Sequence, residues 1–182
     1  MKLKLLIVVL ALQSAWLLGT VARQEGVLAT GKVILLETQP VDPRDPLRGD
    51  FVRLNYKISN VPLKLLPDSV RMDLPYTGNV FVAVAPVGSN GFWEVSRADI
   101  KKFAAAENEV VLRGTAGRAR WNSPDVLRVE YGIEQYFVAE GTGNPRGKLT
   151  VQAAVASSGH TGIKQVFVDG TPYAEAMKAQ GH

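Results

Sequence analysis

The N-terminus carries the feature that most constrains the fold. A positive head with Lys2 and Lys4 precedes eighteen residues without a charge, from Leu5 to Ala22. As a helix, a run of this length rises roughly 27 Å, which is enough to cross the hydrocarbon core of a bilayer. Its apolarity on all faces argues against the alternative interpretation, a core helix of a soluble protein. We therefore expect residues 1–23 to form an uncleaved signal anchor, a single transmembrane helix.

Cleavage of the same segment is an open alternative. Gln13 and Ser14 weaken the middle of the apolar run, and Thr20 and Ala22 form a small-x-small pattern before Arg23. Such a pattern is typical of a signal-peptide cleavage site. Under either interpretation the positive head stays in the cytoplasm, so the rest of the chain is exported.

Composition bounds the exported part of the chain. We divide it into a linker at residues 24–30 and one β-rich domain at residues 31–182, which is long enough to bury a core without disulfide bonds or a structural metal. The formal charge is +4, but two of these charges lie in the head and no block of like charges occurs, so we expect no nucleic-acid partner. With no cysteine and two histidines, the chain excludes a disulfide scaffold and a thiolate metal site, and we expect no metal and no cofactor.

Short apolar segments separated by glycine and proline predict an all-β fold. We expect strands at Lys32–Thr38, Phe51–Ser59, Asn79–Pro86, Gly91–Ser96, Glu109–Trp121, Val126–Tyr131, Lys148–Ala156 and Ile163–Val168. Arg97–Glu107 is the one helix expected between them, and it is short and amphipathic. The pattern predicts a β-barrel or sandwich with one or two short helices, preceded by the N-terminal transmembrane helix.

The Phe51–Ser59 segment has the clearest strand pattern. Its residues alternate between two faces, and one face carries Val52, Leu54, Tyr56 and Ile58. An alternation with a period of two predicts a half-buried strand with these four side chains in the core.

Gly49–Tyr56, with the sequence GDFVRLNY, resembles the motif after which the bacterial GDYXXLXY protein family is named. Phe51 departs from the tyrosine of that motif and lacks only its hydroxyl. Pro40–Asp45, Tyr131–Gly141 and Lys164–Gly170 are also similar to this family, so the resemblance covers nearly the whole exported part. It implies a bacterial protein of unassigned activity, anchored in the inner membrane with its domain on the periplasmic side.

The resemblance also implies a partner, since such proteins are often encoded beside multi-spanning membrane proteins. The residues provide no nucleophile with its base and no set of metal ligands. We therefore favour a non-enzymatic extracytoplasmic domain that binds a polytopic membrane protein. A carboxylate-dependent envelope hydrolase and a β-barrel that binds a small ligand are the alternatives.

Two of the family-like blocks supply the candidate site. Its residues are Gly49, Asp50, Leu54, Tyr56, Tyr131, Glu134, Tyr136, Glu140 and Gly141. Paired carboxylates could act as acid and base in glycoside cleavage if their environments separated their pKa values. The competing interpretation is a junction between strand and loop, where tyrosines pack and glutamates bind backbone groups. None of these residues is assigned a catalytic or metal-binding role.

His160 lies in a turn, after Ser157, Ser158 and a glycine. A lone histidine beside serines is not a catalytic triad, because the orienting carboxylate and the nucleophile elbow are missing. We expect a solvated turn residue.

Overall fold

A computed structural model describes residues 2–39, 51–68, 77–117, 125–138 and 145–180. Its helices are α1 (Lys2–Thr30) and α2 (Tyr173–Ala179). Its strands are β1 (Lys32–Gln39), β2 (Phe51–Arg53), β3 (Asn55–Tyr56), β4 (Asn60–Pro62), β5 (Asn79–Val87), β6 (Phe92–Asp99), β7 (Val110–Ala116), β8 (Val126–Glu130), β9 (Gln135–Phe137), β10 (Leu149–Val155), β11 (Thr161–Val168) and β12 (Thr171–Pro172). Single 3₁₀ turns occur at Lys57–Ser59 and Leu63–Leu65.

One large sheet contains most of the strands, in the order β12-β11-β10-β1-β6-β5-β7-β8-β4. Its pairs are antiparallel except for β1 and β6, which meet in parallel at Leu35 and Phe92. The far end of β1 pairs with β3, and β2 pairs with β9 in a separate two-stranded ribbon. The predicted β-rich class with an N-terminal helix is confirmed, but the sheet is not closed into a barrel: within the described residues, β12 and β4 lie at its two ends.

The core forms where the strand alternation places apolar side chains inward. Val52, Leu54, Tyr56 and Ile58 are all buried, with Tyr56 fully enclosed, as the alternation predicted. Other strands contribute small branched or aliphatic residues to the same core: Ile34, Leu36, Val80, Val82, Val84, Leu112, Leu127, Val129, Val151 and Val166. Such stiff side chains pack well on a pleated surface, so this core favours strands over helices.

The helix expected at Arg97–Glu107 is wrong. Strand β6 continues to Asp99, and an irregular loop leads from there to β7. The carboxylate of Glu109 accepts hydrogen bonds from the Arg97 guanidinium at 2.7 Å, the Ser96 hydroxyl at 2.8 Å and the Ala106 amide at 3.1 Å. These bonds hold the loop against its two strands, and tertiary contacts here override a weak helical preference.

The linker expected at residues 24–30 is helical, since α1 continues to Thr30. Val27 is buried, and the Gly31 amide donates to its carbonyl at 2.9 Å where the helix ends. A Cβ atom at Gly162 of β11 would lie 2.9 Å from the end of the Leu28 side chain, so the missing side chain of this glycine leaves the space that Leu28 occupies. The last two turns of α1 therefore lie on the β10–β11 hairpin.

Smaller differences concern the end of one strand and several short elements. The long strand expected to reach Trp121 ends at Ala116, and residues 118–124 lie outside the described part. Helix α2 and the short strands β4, β9 and β12 were not expected. The turn before β12 uses Asp169 and Gly170 with φ of 48° and 83°, the backbone of a two-residue type I′ hairpin.

Candidate functional site

The two family-like blocks lie side by side. Strand β2 pairs with β9, so that Phe51 lies opposite Phe137 and Val52 opposite Tyr136. One residue beyond β2, the Leu54 amide donates to the Glu134 carbonyl at 2.8 Å. The sheet ladder therefore joins segments that are about eighty residues apart in the chain, a separation set by the fold and not by local sequence.

Two buried tyrosines link these segments reciprocally. The Tyr56 hydroxyl donates to the Ile133 carbonyl at 2.7 Å, and the Tyr131 hydroxyl donates to the Ile58 carbonyl at 2.8 Å. Burial raises the pKa of both phenols, and the nearby Glu134 carboxylate raises these pKa values further. Both phenols therefore stay neutral hydrogen-bond donors, and each is committed to a backbone carbonyl of the other segment.

The Glu134 carboxylate also binds backbone. One oxygen accepts the Tyr131 amide at 2.5 Å, and the other accepts the Gly132 amide at 2.9 Å. Gly132 has a φ of 80°, in the left-handed region that glycine adopts without strain. Glu134 thus stabilises a tight turn after β8, which matches the structural interpretation weighed for this cluster and leaves neither oxygen without a partner.

Aromatic rings cover the outer side of this junction. The Tyr136 ring packs edge-on against Tyr173 of α2, with centroids 5.3 Å apart. The Phe51 and Phe137 rings lie 6.2 Å apart, and Phe137 is 76% exposed. Burial, with the neighbouring Tyr136, raises the pKa of Tyr173, whose buried hydroxyl has no hydrogen-bond partner among the described residues.

The structure thus gathers part of the candidate site. Leu54, Tyr56, Tyr131, Glu134 and Tyr136 lie in one junction between β2–β3 and the segment from Tyr131 to β9. Gly49, Asp50, Glu140 and Gly141 lie outside the described residues. The assignment of these nine residues to a functional site stays a prediction.

An ion-pair chain crosses the outer face of the sheet near the motif. Lys57 contacts Glu94 of β6 and lies 3.7 Å from Glu37 of β1, and Glu37 also binds Lys148. The hydrogen bond from Lys148, with both lysine charges, lowers the pKa of Glu37. The hydrogen bond to Glu94 raises the pKa of Lys57. Because these side chains are 27–56% exposed, solvent screens the charges, and the ion pairs contribute little to stability.

A second polar cluster joins α1 to the sheet. The guanidinium of Arg23 lies 3.0 Å from Nε2 of His160, in the β10–β11 turn. The Arg113 amide of β7 donates to the Gly159 carbonyl at 2.8 Å, which brings a second arginine to this turn. Partial burial and the charges of Arg23 and Arg113 lower the pKa of His160. Sequence reasoning missed the cluster, because Arg23 and His160 are far apart in the chain and neither belongs to a motif.

The described residues contain one helix that is long and apolar enough to span a membrane, Lys4–Thr30. No residue of its apolar part is buried by the rest of the described chain, and Leu10, Trp16 and Leu18 are each more than half exposed. A signal sequence shares this length and composition. The helix is therefore a candidate membrane anchor.

The family model described as "GDYXXLXY protein" matches residues 13–166, which includes the second half of α1 and the sheet through β10 and most of β11. The chain therefore belongs to the GDYXXLXY family, whose function is not established. No curated protein matches the chain, and no solved structure matches it.

Proposed function

We propose that this member of the GDYXXLXY family is a membrane-anchored module on the periplasmic side of the bacterial inner membrane. It binds a multi-spanning membrane protein and catalyses no reaction itself. The observation that carries this proposal is the continuity of α1, which runs without a break from its exposed apolar part onto the sheet.

The apolar part of α1 needs an environment other than water. Its exposed large side chains are Leu5, Leu6, Ile7, Val8, Val9, Leu10, Leu12, Trp16, Leu17, Leu18 and Val21. Each side chain of this size gains about 1.5–3 kcal/mol when it leaves water completely. Insertion into a bilayer is the simplest way to bury all of them, because they surround the helix.

The packing of the helix end restricts where the domain can be. Between Arg23 and Thr30 the helix rises about 10 Å. Val27 is buried in this interval, and Leu28 and Gln24 contact Gly162. We therefore assign residues 1–23 to the anchor, 24–30 to a helical neck and 31–182 to the domain. A domain on a short helical neck meets partners that are themselves at the membrane.

Orientation follows from charge. Lys2 and Lys4 precede the apolar run, and positive residues beside a span favour the cytoplasmic side. The domain then lies in the periplasm.

Single-cysteine labelling tests anchoring and orientation cleanly, because the chain has no cysteine of its own. We expect Ser89→Cys, in the exposed β5–β6 turn, to react with a membrane-impermeant maleimide in intact spheroplasts. A cysteine inserted after Met1 keeps both lysines and serves as the control that reacts only after permeabilisation. The reverse pattern contradicts the proposed orientation, and the intact mass of the membrane-extracted protein tells an anchor from a cleaved signal.

Photo-crosslinking tests the partner. A photoreactive residue in place of the exposed Phe137 is expected to capture a multi-spanning membrane protein, while one in place of the exposed Glu107 is the matched control. Phe137→Ala should then lower co-purification of the same protein without changing the unfolding midpoint. Repeated captures and pulldowns that return no polytopic protein contradict the proposal.

A further inference from the structure

Three basic residues lie near one another where α1 reaches the sheet. Arg23 contacts His160, and the backbone of Arg113 is bonded to Gly159 in the same turn. Arg23 is also the first charged residue after the apolar run. We propose that Arg23, His160 and Arg113 form a binding site for the phosphate group of an anionic phospholipid, an inference that rests on the proposed anchoring.

The height of the cluster favours a lipid head group. If the apolar run lies in the hydrocarbon core, Arg23 lies at the level where the head groups begin. Its 3.0 Å contact with Nε2 of His160 places the β10–β11 turn within one arginine side chain of that level. The exposed Ser157 and Ser158 belong to the same turn. The turn therefore faces the lipid phosphates and not the distant solvent.

The two arginines have no acidic partner among the described residues. In the described part of the chain, neither the Arg23 nor the Arg113 guanidinium contacts a carboxylate, and the one side-chain contact of Arg113 is with Asn79 Oδ1 at 3.2 Å. Arg97 provides the contrast, because its guanidinium is held by Glu109. An arginine has five N–H donors in a planar fork that suits phosphate oxygens, and most donors of Arg23 and Arg113 have no acceptor among the described residues.

His160 positions the site. Its Nε2 accepts a hydrogen bond from Arg23, which requires a neutral ring. Partial burial and the two arginine charges lower its pKa, so the ring is neutral near pH 7. A neutral acceptor holds the guanidinium without neutralising it. The positive charge of Arg23 therefore stays available to an anion.

Gly159 brings the third member close. It has a φ of 87°, and a Cβ atom there would lie 3.0 Å from the Arg113 amide nitrogen. The turn therefore needs glycine both for its backbone and for its approach to β7. This contact fixes Arg113 beside a turn that belongs to a distant part of the sheet.

Native mass spectrometry of the full chain in detergent, with equal amounts of phosphatidylglycerol and phosphatidylcholine, tests the site. We expect the wild type to retain phosphatidylglycerol preferentially. The preference should fall about fivefold for Arg113→Gln and for Arg23→Gln, the effect expected of one basic residue near anionic lipid. Lys178→Gln is the matched control, since it removes the same charge from α2, beyond the opposite end of β11, and should keep the preference.

Three results overturn the inference. These are equal retention of the two lipids by the wild type, an equal loss in the Lys178→Gln control, and displacement of the retained lipid by millimolar inorganic phosphate, which identifies a site for a free anion. A carbonate wash of the membranes separates this inference from the proposal that it rests on. Release of the wild type by the wash refutes anchoring, whereas a protein that stays in the membrane without lipid preference refutes the site alone.

Discussion

The reciprocal tyrosines offer the sharpest test of what the family motif does. Tyr56→Phe and Tyr131→Phe each remove one buried hydroxyl and leave one carbonyl, of Ile133 or Ile58, without its donor. Loss of a partner from a buried polar group costs about 1–3 kcal/mol. Because both carbonyls lie in the same junction, the double variant is expected to deviate from additivity.

Equilibrium unfolding in urea, followed by tryptophan fluorescence of the full chain in detergent, measures this loss. With a denaturant dependence of about 1–3 kcal/mol/M, each variant should lower the midpoint by roughly 0.5–1.5 M. Tyr136→Phe is the matched control, because Tyr136 is partly exposed and its hydroxyl makes no hydrogen bond to a described residue. Its change should stay within about 0.5 kcal/mol.

A different ranking refutes the reasoning. If the three phenylalanine variants unfold at the same urea concentration, the two buried hydrogen bonds do not stabilise the junction. If Tyr56→Phe or Tyr131→Phe keeps its stability but loses the membrane partner, the motif acts in binding and the structural interpretation fails.

Two further predictions concern carboxylates. Hydrogen bonds from Arg97 first, then those from Ser96 and the Ala106 amide, lower the pKa of Glu109 from 4.5 to about 2. Its stabilising effect is therefore complete above pH 4.5 and is lost as the pH falls from there through 2. Glu109→Gln should lower the free energy of unfolding by about 1 kcal/mol at pH 7, a small value because Arg97 is 46% exposed. The variant should also show a weaker dependence of the unfolding midpoint on pH between 4.5 and 2. The same pH dependence in the variant and the wild type would contradict this role of Glu109. Glu134→Ala should lower the free energy of unfolding in urea by about 1–2 kcal/mol, because two backbone amides lose their acceptor. A smaller loss of stability than that of Tyr136→Phe would show that the turn forms without the carboxylate.

The alternation of Val52, Leu54, Tyr56 and Ile58 was sufficient to predict their burial, because every second side chain of an extended segment lies on the same face. Ile58 is buried too, although it lies in the 3₁₀ turn that follows β3. The partners of Tyr56 and Tyr131 could not be predicted in the same way. Both hydroxyls bind backbone carbonyls, which every residue has, so no side chain in the sequence marks the acceptor. The sequence was sufficient to recognise the two blocks as parts of one candidate site. The hydrogen bonds that join them could be seen only in the structure, because strand pairing sets them.

Long-range contacts also explain why Arg97–Glu107 is not a helix and why α1 extends to Thr30. Arg97–Glu107 has a helical pattern, but the Arg97–Glu109 ion pair and the hydrogen bond from Ser96 favour an extended β6 and a bound loop. Gln24 and Glu25 make the end of α1 polar in sequence, while Val27 alone is buried there. Two helical turns are too short to show a helical period of apolar residues in the sequence. The contact that stabilises them is with Gly162, more than 130 residues later in the chain.

The helical neck leads to a final prediction, which is that residues 24–30 fold together with the sheet as one unit. The family match begins within α1, so the neck and the sheet belong to one matched segment. A soluble chain that begins at Arg23 keeps the buried Val27, the Leu28 contact with Gly162 and the bond from Arg23 to His160, whereas one that begins at Gly31 loses all of them.

Complete burial of valine contributes about 1.5–3 kcal/mol, and the half-buried Leu28 adds a smaller amount. We expect the chain beginning at Gly31 to unfold at a urea midpoint lower by roughly 1–2 M. Gly162→Val in the longer chain should reproduce part of this loss, because the added side chain collides with Leu28, and it should have no such effect in the shorter chain. Equal midpoints for the two chains would mean that the neck only rests on the sheet, and the domain would then be free to turn on its anchor.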